Sequence, residues 1–235
     1  MTFSFKRVYA IFEKDMKDLS KNLPIVTTMI MPFLLAIFLR ANGPSIATNY
    51  LMINLVFTLV AAFVQCALIA EEKEKNTLRG LILSPASTFE ILGGKSLLSL
   101  VLTVIAVVIS VSITGYDPAN FFIVALAIFI SIFFYIALGT LLGLLTKSVM
   151  EASVVILPVI FLFGVGSSLK FLLVEYPQLS FIEYLPNIQL ELLATEVQNG
   201  EGITAVWPQL AVIAVWVICA YSLVVVTYKK RAIDG

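Results

Sequence analysis

The chain has 235 residues, 60% of them hydrophobic and only 13% charged, with a mean hydropathy of +1.02; a soluble domain carries about 25% charged residues, so water is excluded as its main solvent. Fifteen basic and fifteen acidic side chains cancel, which offers no attraction to nucleic acid, and the absence of histidine removes the commonest general base, proton shuttle and metal ligand. The two cysteines, Cys66 and Cys219, both fall in apolar runs, so neither a disulfide framework nor a cysteine-rich metal site is expected.

The first element is amphipathic. On a helix, Phe5, Val8, Tyr9, Phe12, Met16 and Leu19 form a stripe about 100° wide, and Lys6, Arg7, Glu13, Lys14, Lys17, Asp18 and Lys21 take the remaining face. This pattern predicts an interfacial helix over residues 1–22 that leads into the first span at Asn22-Leu23-Pro24. A passive anchor and a working contact with a partner both fit it. The charges that precede the first long apolar stretch do not resemble a cleaved signal.

Six apolar runs follow: Pro24 to Leu39, Tyr50 to Ala70, Ser96 to Thr114, Asn120 to Thr146, Ala152 to Leu169 and Ala205 to Tyr228. At about 20 residues per span they use most of the chain. The predicted fold is an all-α integral membrane protein with six transmembrane helices, a single domain over 1–235. The first run is the shortest and carries Pro32, so its ends are the least sharply marked. Thirteen of the fifteen basic residues lie on the side of the termini, in the loop 71–95 and at Lys147; Arg40 and Lys170 lie opposite. Basic residues accumulate in cytoplasmic loops, so both termini and the loop 71–95 are expected in the cytosol and the segment 170–204 outside.

The loop 71–95 carries the most information. Its alternating charges, Glu71-Glu72-Lys73-Glu74-Lys75, can extend the second span as a solvated helix, and Asn76 tolerates the bend that would end it. Ser84-Pro85 has the form of a cap followed by proline, which predicts a short helix through about Leu92 whose apolar residues, Phe89, Ile91 and Leu92, need cover. A hairpin tucked under the bilayer and a docking surface both satisfy that need. Gly94-Lys95-Ser96 mimics the end of a phosphate-binding loop, but Phe89 stands where the motif needs its first glycine.

At these residues the chain resembles the membrane-spanning permeases of type-2 ABC exporters. The resemblance is carried by Glu72-Lys73-Glu74-Lys75-Asn76-Thr77-Leu78, by Leu81-Ile82-Leu83-Ser84-Pro85-Ala86-Ser87, and by Glu90-Ile91-Leu92 with Gly94-Lys95; Asn76 departs from the family's usual glycine. It implies a transport subunit without catalysis of its own, paired with a second copy or a related permease in a cell membrane, read here as a bacterial plasma membrane. A cytosolic ABC ATPase subunit would bind ATP and Mg. Its contact would map onto Glu72, Glu74, Thr77, Leu81, Pro85, Phe89 and Glu90. The resemblance also implies that the segment 170–204, where Leu185-Pro186-Asn187 precedes Leu190, Leu192 and Leu193, holds a helix that dips back into the membrane.

Inside the spans the polar residues are neutral: Asn54 and Gln65, then Thr103, Ser110, Ser112, Ser131 and Thr140. Asn54 and Gln65 are the candidates for lining a path, though such side chains more often bond helix to helix. The missing buried charges argue against a secondary transporter or channel, and the missing histidine against an intramembrane enzyme. Neutral and aromatic walls suit an amphipathic or lipid-like cargo, such as an antimicrobial peptide or a hydrophobic drug. Gly139 and Gly143 form a small-xxx-small pair suited to close helix packing.

Overall fold

The computed structural model describes residues 4–41, 43, 45–75, 77, 87–166 and 177–233, and every regular element among them is helical. Helix α1 (Phe5–Leu19) is amphipathic as expected, but its buried line runs through Val8, Ile11, Asp15 and Leu19, whereas Phe5 and Tyr9 are 81% and 63% exposed. The predicted stripe is corrected by this rotation. The cause is helix α4 (Thr88–Thr114), where Gly94 leaves no side chain in the way: a Cβ there would stand 2.9 Å from Ile11 and 3.0 Å from the Val8 carbonyl. Helix α1 therefore has three faces, one against protein, one apolar and exposed, and one charged.

Among the described residues, five helices are long and apolar enough to cross a membrane. They are α2 (Leu23–Arg40), α3 (Ile46–Glu74), α4, α5 (Phe121–Leu145) and α8 (Trp207–Ile233). The sixth expected span is shorter: α6 consists of the 11 residues Val149–Val159 and a five-residue π turn, Ile160–Gly164. Together they rise about 24 Å, less than the roughly 30 Å of a hydrocarbon core. The expected end of that span, 167–169, lies outside the described residues, among which there are five helices of spanning length and one shorter apolar helix.

The bundle is built around α3, whose apolar window is 94% buried, against 17% for α2 and 22% for α8. Close approach is what centres it. A Cβ on Gly139 of α5 would lie 2.2 Å from the Ala62 carbonyl, and one on Gly143 would lie 2.8 Å from that of Cys66, so only glycine lets α5 rest on α3. The aromatic layer beside this contact, Phe57, Phe134, Tyr135, Phe163 and Trp216, has ring centroids 5.0 to 6.5 Å apart.

The connection into α4 also differs from expectation. Ser84 and Pro85 lie outside the described residues; the cap is Ser87, whose hydroxyl accepts from the Glu90 amide while the Glu90 carboxylate accepts from the Ser87 amide. From this capping box α4 runs unbroken through Leu92 and the two glycines to Thr114, so one long helix replaces a short helix and a separate span. Gly115, at φ +70°, ends it in the left-handed region. In the segment 170–204 a 3-10 helix (Pro177–Tyr184) precedes α7 (Pro186–Gln198), which opens on proline and buries Ile188, Leu190, Leu193 and Val197 among α3, α5 and α8. We call the end of the bundle that carries α1 proximal and the end that carries Gln198 distal.

Candidate functional site

At the proximal end, charged side chains from α1, α3 and α4 converge. Lys95, 1% exposed, stands two turns into α4 and donates to Asp15 Oδ2 at 2.9 Å and to Glu72 Oε1 at 3.2 Å. Lys14 also donates to Glu72 Oε1 and lies 3.6 Å from Asp15 Oδ1 and 3.7 Å from Asp18 Oδ2, while Thr77 donates to the other Glu72 oxygen. Two buried carboxylates thus share two ammonium groups. Removing one member would strand a buried charge, at a cost of about 3–5 kcal/mol. Burial raises the pKa of the Asp15 carboxyl above its ordinary value, against the pull of Lys95 and Lys14.

A second junction lies one helix turn before this cluster. Glu90 is fully buried, and its carboxylate accepts from Arg7 Nη2 at 2.7 Å, from Arg7 Nε at 3.1 Å, and from the amides of Ser4 and Ser87, each at 2.6 Å. The fork of arginine matches the two oxygens in geometry as well as charge. One carboxylate therefore fastens the first turn of α1 to the first turn of α4. Helix α1 is held at both ends, by Arg7 and by Lys14 with Asp15.

Of the residues expected at the partner contact, the structure describes the side chains of Glu72, Glu74, Thr77 and Glu90. The carboxylates of Glu72 and Glu90 face inward and bind groups of their own chain. Glu74 and Thr77 are exposed; Glu74 accepts from the Val149 amide at 2.9 Å. Leu81 and Pro85, and the side chain of Phe89, lie outside what is described. Arg7, Lys14, Asp15 and Lys95 are the residues that sequence reasoning missed. Asp15 had a legible signal: on the helical wheel it falls between Ile11 and Leu19, and a carboxylate among buried apolar neighbours needs a partner.

The two path candidates lie deeper. Gln65, fully buried, donates from Nε2 to Thr140 Oγ1 at 3.0 Å and to Ser96 Oγ at 3.4 Å, and its Oε1 accepts from Ser99 at 2.7 Å. The amide thus ties α3 to α4 and α5. Asn54 is likewise fully buried, one turn before Thr58, whose hydroxyl donates to the Asn54 carbonyl at 3.0 Å. Both side chains sit in the interior of this one chain, and Gln65 acts there as a contact between helices.

A bundle of apolar helices around a buried central one, with an ionic junction at one end, defines a multi-pass membrane protein. The family model described as ABC-2 family transporter protein matches residues 13–226, and the chain belongs to that family as a permease subunit. Comparison with curated proteins gave no match.

Proposed function

We propose that the chain is the membrane-spanning subunit of an ATP-driven exporter, with ATP and Mg bound by a separate ABC ATPase that docks at the proximal end. The observation that supports this most is the double fastening of α1 to α4 through Arg7–Glu90 and Asp15–Lys95–Glu72. A helix floating as a passive anchor gains nothing from buried ion pairs with two other helices; a helix that must move with the loop between α3 and α4 does. The proximal end is cytosolic by the distribution of lysine and arginine, the membrane is the cell membrane, and α6 with the residues after it forms the sixth span.

In this reading Glu74, Thr77, Leu81, Pro85 and Phe89 meet the ATPase, and Glu72 and Glu90 hold the scaffold on which that contact rests. The path lies between two copies of the chain, or between it and a related permease, and takes an amphipathic or hydrophobic cargo such as an antimicrobial peptide, a drug or a lipid-like molecule. Helix α7 is re-entrant. Trp216, nine residues into α8, donates to the Tyr184 carbonyl at 2.7 Å, which supports a depth of about 14 Å for the start of α7.

The test is reconstitution of the purified chain in liposomes with and without a co-purifying ATPase. Transport is expected only with the ATPase and ATP, and Arg7→Ala or Glu90→Gln should leave insertion and hydrolysis in place while reducing transport. Movement of cargo by the chain alone, indifferent to ATP and to both substitutions, overturns the reading.

A further inference from the structure

We propose that the distal half of the α4–α5 hairpin is a binding site for a membrane lipid whose headgroup carries an ammonium. The two helices splay apart above their tight turn and enclose a groove of about 460 Å³, a volume within the usual range for one small ligand. Its walls are Val104, Val108 and Val111 on one side and Val124, Ile128 and Phe129 on the other. Val108 and Phe129 are 59% and 46% exposed, so no other part of the described chain covers them.

The walls exclude a polar ligand along most of their length. Ser112 is the polar side chain of the α4 wall, and its hydroxyl is already engaged with the Val108 carbonyl at 2.8 Å. A donor or acceptor placed deeper would lose its partners in water and find none in return. From Val104 to Ser112 the wall rises about 12 Å, most of the roughly 15 Å apolar depth of one leaflet. An acyl chain lying along it is matched in polarity and in length.

The mouth has different chemistry. It consists of Tyr116, Asp117 and Phe121, one carboxylate with two aromatic rings. That combination attracts an organic cation by charge and by the ring faces together, and repels a phosphate-only anionic head. The mouth is also built in advance. The Tyr116 hydroxyl stands 3.3 Å from that of Tyr50 with their rings edge-on at 5.7 Å, and the amide of Ala119 donates to Gln198 Oε1 at 3.2 Å, which pins the turn to the end of α7. Arg40, at the distal end of α2, does not line the groove. Charge complementarity therefore selects a zwitterionic lipid such as phosphatidylethanolamine. The inference does not depend on an ATPase; the proposed orientation enters only in making the distal leaflet the outer one.

The experiment uses the full chain, with any partner that co-purifies, in nanodiscs of equal phosphatidylethanolamine and phosphatidylglycerol, and counts the lipids retained after release by native mass spectrometry. Phosphatidylethanolamine should be enriched roughly threefold to tenfold. Asp117→Asn should bring the ratio to parity, Asp117→Glu should keep it, and Val108→Trp should lower retention of either lipid. Parity in the unsubstituted chain, or enrichment unchanged by Asp117→Asn, overturns the proposal. So does efficient disulfide formation between two copies carrying Val108→Cys in a background without Cys66 and Cys219, because the groove would then be covered by a second chain.

Discussion

Lys95 Nζ lies 2.9 Å from Asp15 Oδ2, with both side chains almost wholly buried although 80 positions separate them. This pair decides what the N-terminal helix is: an element packed into the protein by one face, with only its Phe5 and Tyr9 side left to the interface. Because Lys95 also reaches Glu72, a displacement of any one of α1, α3 and α4 strains the other two.

The pair predicts a non-additive response. Lys95→Met should destabilise the chain by about 3 kcal/mol or more, since it leaves Asp15 and Glu72 buried with Lys14 as their shared cation. Combining Lys95→Met with Asp15→Leu should recover most of that loss, because Lys14 then serves Glu72 alone. Thermal unfolding of the purified single and double variants in detergent measures the coupling; simple addition of the two effects would contradict the geometry.

Acidification gives a second handle. Burial lifts the Asp15 carboxyl above its ordinary value of 3.8, so the folded chain holds this proton more tightly than the unfolded one does. The contribution of that group is fully present below 3.8 and is lost as pH rises through the raised value. Relative to Asp15→Asn, the unsubstituted chain should gain stability as pH falls from neutral towards 3.8. A difference that shrinks on acidification would show that Asp15 is held as a well-compensated carboxylate instead.

The glycines predict opposite outcomes for one substitution. Gly139→Ala places a Cβ 2.2 Å from the Ala62 carbonyl and must push α5 off α3, at a cost of about 1–3 kcal/mol or more. Gly93→Ala meets nothing within 4 Å on the same kind of helix, and should stabilise by about 0.5–1 kcal/mol through helix propensity. Melting temperatures of the two variants check the contrast.

Orientation is tested by labelling. In a background without Cys66 and Cys219, cysteines at Gln178 and at Glu201 should react with an impermeant thiol reagent outside intact cells, and a cysteine at Asn76 should not. The reverse pattern would invert the assignment of the proximal end to the cytosol.

The polar residues show how far local pattern reaches. Gln65 stood out in the sequence as an amide in an apolar run, but its partners, Thr140 and Ser99, lie on other helices, and only the fold shows that the amide joins them. Glu90 stood out within a family-like loop, yet Arg7, 83 positions earlier, takes its carboxylate inward. The capping box at Ser87 was readable as Ser-x-x-Glu; Ser84-Pro85 offered a competing start, and local rules do not choose between two caps three residues apart.

What the sequence determined by itself was the solvent, the helical class and the two-sided distribution of charge, because hydropathy and basic bias are sums over neighbouring residues that no fold can alter. The amphipathic helix and the Gly139–Gly143 packing pair were legible for the same reason. The tertiary structure alone decided which way α1 is rotated and which carboxylates are internal. Those outcomes depend on shape: the missing side chain at Gly94 admits Ile11, that contact turns Asp15 towards Lys95, and no periodicity in either segment records the other.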